Sequence, residues 1–391
     1  MKSMTHPPLT ELVAGEEAPQ AVAVNALRIA IISDAAPARN GVGTYYVDLQ
    51  KHLSSAVERI EMFSPTVLDD KWKAGLVFPL PGDHTQKLCF PNPIRMRNWL
   101  QALRPHVAII ATPGVYGLVG AFWTSRLGIP RLAGFHTSFE QITKLYWKQG
   151  SAPSRIIGGY FKVSNNYLLD KCPLVLANSE AMIEQAQRLG AQQTRLIGTT
   201  VSATFTHPPL VPYSGQLQRI LFAGRLAPEK NLSALIDAAR RQPERHFTVA
   251  GDGPERDRMQ ALARELPNLE CLGWLERDQL REQIDAHDAL ILPSHFESFG
   301  TIALEAMARE RIVVVSPHCG IAEWEAFNRG LYLVKGEDLA QTLADIGALS
   351  EEQRREHAHH AYSLTRELNQ HSLGQWLTLF QELASPALET R

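Results

Sequence analysis

Two glutamates, Glu297 and Glu305, frame the segment Glu297-Ser-Phe-Gly-Thr-Ile-Ala-Leu-Glu305. A carboxylate accepts two hydrogen bonds from a vicinal diol, so this pair suits a sugar or a ribose. The preceding Leu290-Ile-Leu-Pro-Ser reads as a strand. Glu297 then falls in the following loop, and Glu305 about one turn into the next helix. Phe299, Gly300 and Thr301 would offer backbone N–H groups at that helix start, where an anion or hydroxyl can be held. A second element, Gly224-Arg-Leu-Ala-Pro-Glu-Lys230, sits between a strand and a helix. Arg225 and Lys230 are two cations on one short loop, suited to neutralising a diphosphate leaving group.

Three weaker segments accompany them. In Asn40-Gly-Val-Gly-Thr-Tyr45, Gly41 and Gly43 allow backbone approach to a phosphate, but the third glycine of the dinucleotide fingerprint is missing. His136, in Phe135-His136-Thr137, ends a short strand and can donate to a hydroxyl or to a developing charge. Gly251, in Gly251-Asp-Gly-Pro254, follows another strand and can line a nucleotide pocket. Taken singly, each segment also reads as an ordinary turn, cap or solvated loop.

The elements that position these residues alternate. Apolar runs at Leu27–Ser33, Val107–Thr112, Arg131–Phe135 and Leu174–Ala177 interleave with amphipathic stretches such as Tyr45–Leu53 and Ser179–Leu189. The pattern predicts parallel sheets with crossover helices. Thr206–Gly215, dense in proline, reads as a linker. Alternation then restarts at Arg219–Gly224, His246–Gly251, Ala289–Pro293 and Ile312–Ser316. A chain of 391 residues exceeds a single core, so two α/β domains flanking a cleft are expected. The expected division is a disordered leader at 1–26, a first domain at 27–210, a second at 211–370, and a C-terminal helix at 371–391 crossing back to the first domain.

Four cysteines without CxxC or Cys/His spacing argue against disulfides and zinc and suit a reducing, cytoplasmic setting. Nineteen uncharged residues separate His106 from Arg126, close to a membrane span in length. Pro113, Gly114, Gly117 and Gly120 interrupt them, which favours a buried strand followed by a helix from about Leu118. His357, His359 and His360 lie in a charged helical stretch and read as solvent-facing.

Read in order, NGVGTY at 40–45, GFHTSF at 134–139, ANS at 177–179, GRLAPEK at 224–230, AGDGP at 250–254, LGW at 272–274 and HFESFGTIALEAMA at 295–308 resemble the family 4 glycosyltransferases of the GT-B fold. The likeness runs from about Leu27 to Leu383. It implies two Rossmann-like α/β domains, with parallel sheets facing a central cleft. It also implies that Arg225 and Lys230 bind the donor diphosphate, that Glu305 holds the ribose, and that Glu297 contacts the transferred sugar with Phe299, Gly300 and Thr301. By the same carry-over Gly41 and Gly43 approach the phosphates and His136 meets the sugar. The base lies near Gly251 and the turn from Gly273 to Leu275. The resemblance further implies a retaining hexosyltransferase using a UDP- or GDP-linked sugar, mannose or glucose first, without a metal or other cofactor. Alternatives on the same fold are a sugar-nucleotide epimerase, a sugar-phosphate synthase or a non-catalytic nucleotide-sugar-binding protein. Two departures from the pattern, Arg309-Glu-Arg-Ile312 and Cys319-Gly320, are expected beside the sugar site.

Charge is uneven along the chain. His84–Lys171 holds eleven basic and two acidic residues, a net of +9, whereas the remainder holds 28 basic against 39 acidic. Leu145-Tyr-Trp-Lys and Gly159-Tyr-Phe-Lys interleave aromatic and basic residues there, which suits an anionic lipid surface. A lipid-linked, glycolipid or glycan acceptor is therefore expected, with peripheral attachment to the cytoplasmic membrane face. Nothing in the sequence resembles a nucleic-acid-binding motif.

Overall fold

A computed structural model describes residues 22–37, 41–68, 71–73, 75–80, 83–136, 152–327 and 329–385. The first half runs β1 (Arg28–Ile32), α1 (Gly41–Leu53), β2 (Arg59–Phe63), β3 (Thr66–Leu68), β4 (Lys71–Lys73), β5 (Leu76–Leu80), β6 (Asp83–Phe90), α2 (Pro93–Leu103), β7 (Val107–Ile110), α3 (Val115–Arg126), β8 (Arg131–Gly134), α4 (Ala152–Lys171), β9 (Leu174–Ala177), α5 (Glu180–Arg188), β10 (Gln193–Leu196) and α6 (Ala203–Thr206). The second runs β11 (Arg219–Ala223), α7 (Leu232–Arg241), β12 (His246–Ala250), α8 (Arg256–Glu265), β13 (Leu269–Gly273), α9 (Arg277–Ala286), β14 (Ala289–Leu292), α10 (Thr301–Met307), β15 (Ile312–Val315), β16 (Tyr332–Leu333), α11 (Leu339–Gly347) and α12 (Glu351–Ala384).

Two six-stranded sheets form, ordered β10-β9-β8-β7-β1-β2 and β13-β12-β11-β14-β15-β16, and every pairing within them is parallel. Parallel strands covered on both faces must be apolar throughout, which accounts for runs such as Ile29–Ile32 and Ile312–Val315. In the first domain α2, α3, α4 and α5 cover one face, while α1 and the end of α12 cover the other. The pairs β3–β4 and β5–β6 are antiparallel hairpins outside the main sheet.

In each sheet the strand order reverses next to the first strand. β11 lies between β12 and β14, and β1 lies between β2 and β7. The loops that leave adjacent strands at such a point diverge to opposite faces and open a crevice at the carboxyl ends. The Arg225–Lys230 loop follows β11 and the Glu297 loop follows β14, so both groups border the same crevice.

The chain crosses between domains twice. Residues 207–218 form the irregular linker, which Arg309 and Arg311 fasten to the second domain. The Arg309 guanidinium donates to the carbonyls of Phe205, Pro208 and Pro209 at 3.3, 2.8 and 2.6 Å, and to both Asp285 oxygens. Arg311 donates to Val211 O at 3.0 Å and to Asp285 O at 2.8 Å. The second crossing is α12, whose Ala358 and Ala361 lie in the second core and whose Trp376 and Phe380 lie in the first. Trp376 donates to Tyr45 Oη at 3.1 Å.

Several expectations are corrected. Residues 1–21 of the expected leader lie outside the described residues, but Val22 and Val24 pack on the first core, and Val22 O accepts from Gln381. The nineteen-residue uncharged stretch divides, as expected, into a strand, β7, and a helix, α3, which however starts at Val115 and not near Leu118, because Asp34 accepts from Tyr116 N and Gly117 N there. Among the described residues no helix is long and apolar enough to cross a membrane. His357 is not solvent-facing: it stacks on Tyr332 with ring centroids 4.0 Å apart, and burial holds its imidazole down at about 4.

Candidate functional site

The Arg225–Lys230 loop ends in a 3-10 turn, Pro228–Lys230, closed by Asn231 in the left-handed conformation. Glu229 O accepts the His295 N–H at 2.8 Å, which ties this turn to the loop after β14. That backbone bond brings Lys230 Nζ into a short ion pair with Glu297 Oε2. Burial pulls the Lys230 ammonium down, but Glu297, with help from Glu229, outweighs it and holds the group above its ordinary value. Burial lowers the guanidinium of Arg225 below its usual value, with the Glu229 charge opposing.

The Glu297 strand-like segment is clamped from the other side. Glu297 N donates to His318 O, and Gly320 N and Ile321 N donate to the carbonyls of Glu297 and Phe299. A Cβ at Gly320 would lie 2.1 Å from Ser298 O and 2.8 Å from Ser179 Cβ of the first domain. Gly320 thus lets three chain segments from two domains meet. Cys319-Gly320 does lie beside Glu297, as expected. Arg309 and Arg311 do not, being committed to the linker.

Gly300 caps α10 with φ of 96°, a conformation that favours glycine. It turns the chain so that Thr301 and its successors begin the helix with N–H groups lacking a helical partner. Glu305, on the next turn, is 3% exposed, and Arg277 Nη1 donates to its Oε1 at 2.5 Å. Burial raises the Glu305 carboxyl, and Arg277 opposes that rise.

Gly224, Gly251 and Gly273 form a stack across the ends of β11, β12 and β13. Gly224 N donates to Ala250 O, and Gly251 N to Gly273 O. A Cβ on Gly251 would strike Gly224 O at 1.8 Å, whereas at Gly273 nothing lies within 4 Å. Trp274, next to Gly273, is 47% exposed.

In the first domain Gly41 and Gly43 fall within the first turn of α1 and not ahead of it. Gly41 faces open space, while a Cβ on Gly43 would meet Ala36 O at 2.4 Å, so its small size is also a packing need. His136 Nε2 is 2.7 Å from Tyr46 Oη. Burial lowers the imidazole to about 4, so it is neutral at physiological pH. With Thr112, Pro113 and Gly134 it borders a cavity of about 20 Å3, room for one water. Thr137 lies outside the described residues.

Sequence reasoning missed four polar residues. Asp34 accepts from Thr112 Oγ1, Tyr116 N and Gly117 N and so caps α3; burial raises it to about 6 despite these bonds. Tyr46 meets His136. Asp48 and Arg277 form an ion pair across the two domains at 2.9 Å. A signal existed for Arg277, a cation in the first turn of a helix, where the dipole disfavours it. Among the described residues no group of three His, Cys, Asp or Glu is arranged to hold a metal ion.

The family described as Glycosyltransferase Family 4 matches residues 39–204, and that described as Glycosyl transferases group 1 matches residues 213–363. An uncharacterised glycosyltransferase of Methanocaldococcus jannaschii is 38% identical over 110 residues, which span 27% of this chain and 28% of that protein. Among solved structures, a sucrose-phosphate synthase from Thermosynechococcus elongatus superimposes with a TM-score of 0.69 at 17% identity, covering 91% of this chain and 99% of the other. The Anabaena protein HepE, in complex with UDP and glucose, gives 0.65 at 18% identity, covering 90% and 99%.

Proposed function

We propose that this chain, which belongs to the group 1 and family 4 glycosyltransferases of the GT-B fold, moves a hexosyl group from a nucleotide-diphosphate sugar to an acceptor hydroxyl with retention of anomeric configuration. The observation that carries the reading is the Lys230–Glu297 ion pair beside Arg225, at the point where the second sheet reverses its strand order. Glucose and mannose, linked to UDP or GDP, are the proposed donors. The HepE complex with UDP and glucose supports the uridine form.

In the proposed reaction the carbon–oxygen bond to the donor phosphate breaks as the acceptor oxygen attacks from the same face. The departing phosphate oxygen takes the acceptor's proton, and Arg225 and Lys230 meet the charge that develops on the diphosphate. The protein's own cations suffice for this, so no metal is needed. A covalent intermediate would want a carboxylate on the opposite face of the sugar. The first domain's Asp34 is taken up in capping α3, which favours direct same-face transfer. Glu297 and Glu305 serve as acceptors for sugar and ribose hydroxyls, and the neutral His136 as a donor or acceptor to the sugar.

The acceptor is proposed to be lipid-linked, a glycolipid or a glycan, presented at an anionic membrane surface. Support comes from the outer face of α2, α3 and α4 with the adjoining β5–β6 hairpin, where Leu76, Phe78, Ile94, Phe122, Ile156 and Val163 are exposed. Arg95, Arg97, Arg126, Arg155 and Lys162 stand among them, and each basic group near an anionic bilayer contributes about 1 kcal/mol. The aromatic-basic run at 145–148 lies outside the described residues.

The test is incubation with UDP-glucose and GDP-mannose in the presence of lipid and glycan acceptors, with product anomers read by NMR. An α-linked product from the α-linked donor, formed in the presence of chelator, is expected. An inverted product, or release of an epimerised nucleotide sugar, would overturn the reading.

A further inference from the structure

The Arg277 side chain is placed where helix energetics alone would not put it. It is the first residue of α9, whose cap is already supplied by Glu276 and Gln279 in a reciprocal capping box. A cation there meets the positive end of the helix dipole. Its guanidinium has other partners. Nη1 donates to Glu305 Oε1 at 2.5 Å and Nη2 to Asp48 Oδ2 at 2.9 Å, and the plane lies over the Phe205 ring at 4.6 Å. Asp48 is itself held, its Oδ1 accepting from Ser202 Oγ at 2.9 Å.

These partners come from different parts of the fold. Asp48 belongs to α1 of the first domain, Ser202 and Phe205 to the segment leading into the linker, and Glu305 to α10 of the second domain. Both carboxylates are nearly buried, at 7% and 3% exposure. Two buried carboxylates facing each other cannot both stay ionised without a cation between them. Only a planar fork can satisfy two carboxylates at once in this way; a lysine is a point charge. α1 also begins at Gly41 and Gly43, so the helix that borders the cleft at one end reaches Arg277 two turns later.

We infer that Arg277 is a positioning residue for the donor, holding Glu305 ionised and aimed at the nucleotide ribose while tying that half-site to the first domain through Asp48. The inference rests on the transferase reading above, in which Glu305 accepts the ribose diol. A protonated Glu305 would turn one acceptor oxygen into a donor and hold the diol less well. Arg277 on α9 and Asp48 on α1 are the charged groups that act on it, the first favouring and the second opposing ionisation.

The test measures Kd for UDP-glucose and GDP-mannose by calorimetry without acceptor, between about pH 8 and about pH 6, a window in which a diphosphate diester does not titrate. Wild-type affinity for the preferred donor is expected to be flat across this range. Arg277→Gln is expected to weaken it about tenfold at the upper pH and further on acidification, as Glu305 takes up a proton. Arg277→Lys, which keeps the charge, should retain the flat profile with a smaller loss. Glu305→Gln should remove the pH dependence, and Arg277→Gln should cost much less in that background than in the wild type, only what the tie to Asp48 contributes, because its action through Glu305 ends once the carboxylate is gone. If both Arg277 variants lower Tm but leave Kd and its pH profile unchanged, Arg277 is structural and the inference is overturned. If the wild-type protein binds neither donor, the transferase reading fails first and this inference with it.

Discussion

Replacing Arg309 with methionine is expected to destabilise the protein by about 3–5 kcal/mol, the range for breaking one half of a buried ion pair. The side chain is fully buried and makes five bonds, two to the Asp285 carboxylate at 2.7 and 2.9 Å, two to the linker carbonyls of Pro208 and Pro209, and one to Phe205 O just before the linker. Methionine fills much of the same volume, so the cavity contribution is small and the loss is electrostatic. Asp285 keeps Arg281 at 3.5 Å as a second cation, which draws the estimate toward the lower end. Three orphaned carbonyls draw it back up, since each buried unsatisfied acceptor costs about 1–3 kcal/mol unless the linker relaxes to reach water. Urea unfolding followed by tryptophan fluorescence gives the difference. Adding Asp285→Asn should recover part of it, because the stranded charge is then gone. A loss below about 1 kcal/mol, or no recovery in the double variant, would refute the assignment of Arg309 as the linker's anchor.

Other outcomes follow from the same geometry. Lys230→Ala should lower turnover at least about tenfold, or ~1.4 kcal/mol of transition-state stabilisation, in a steady-state transfer assay. Wild-type kinetics would remove Lys230 from the diphosphate. Glu310→Gly should raise stability by about 0.5–1 kcal/mol in thermal unfolding, since Glu310 sits at φ of 57°, where glycine is unstrained. His136 and His357, both held down to about 4 by burial, stabilise the fold fully above the unfolded value near 6.5; that stability is lost as pH falls toward 4. Asp34, raised from 3.8 to about 6 by burial, has the opposite sign in that window and offsets part of the proton uptake by these histidines, so Asp34→Asn should steepen the slope of stability against pH near pH 5. Ile156→Glu with Val163→Glu should abolish co-sedimentation with anionic vesicles at low salt and leave nucleotide-sugar binding intact.

The fold was legible because its determinants are local. A run such as Ile29–Ile32 can only be a strand covered on both faces, and repeated strand–helix alternation restricts the sheet to parallel pairing. The short edge strands and hairpins at residues 59–90 were not visible, since Arg59-Ile-Glu-Met-Phe63 is only partly buried and lacks that continuous apolar signature. For the site, the proximity of Lys230 and Glu297 was implied by their loops alone, as both follow strands that proved adjacent. The Asp48–Arg277–Glu305 contact was not, because it depends on how two domains meet, and no local pattern encodes a separation of 229 positions. Arg309 and Arg311 misled for a related reason. Their place as a departure from the resembled family's pattern suggested the sugar site, yet both side chains turn back to the linker.

The pairing of charges within the site bears on which ligands it accepts. Lys230 is matched by Glu297, Arg277 by Glu305 and Asp48, and Arg225 lies in the field of Glu229. A simple anion approaching this crevice would neutralise the lysine but strand Glu297, a partly buried carboxylate, without a partner. A ligand that carries a diphosphate together with hydroxyl donors can do both, meeting the cations with its phosphates and the released carboxylate with a sugar diol. Discrimination against free phosphate then arises from the unpaired carboxylate it leaves behind, in the way buried polar groups penalise an analogue lacking their partner. The prediction is that Glu297→Gln narrows the gap between the affinities for inorganic pyrophosphate and for the nucleotide sugar. A gap that stays the same in this variant would mean that Glu297 does not act as the sugar's acceptor.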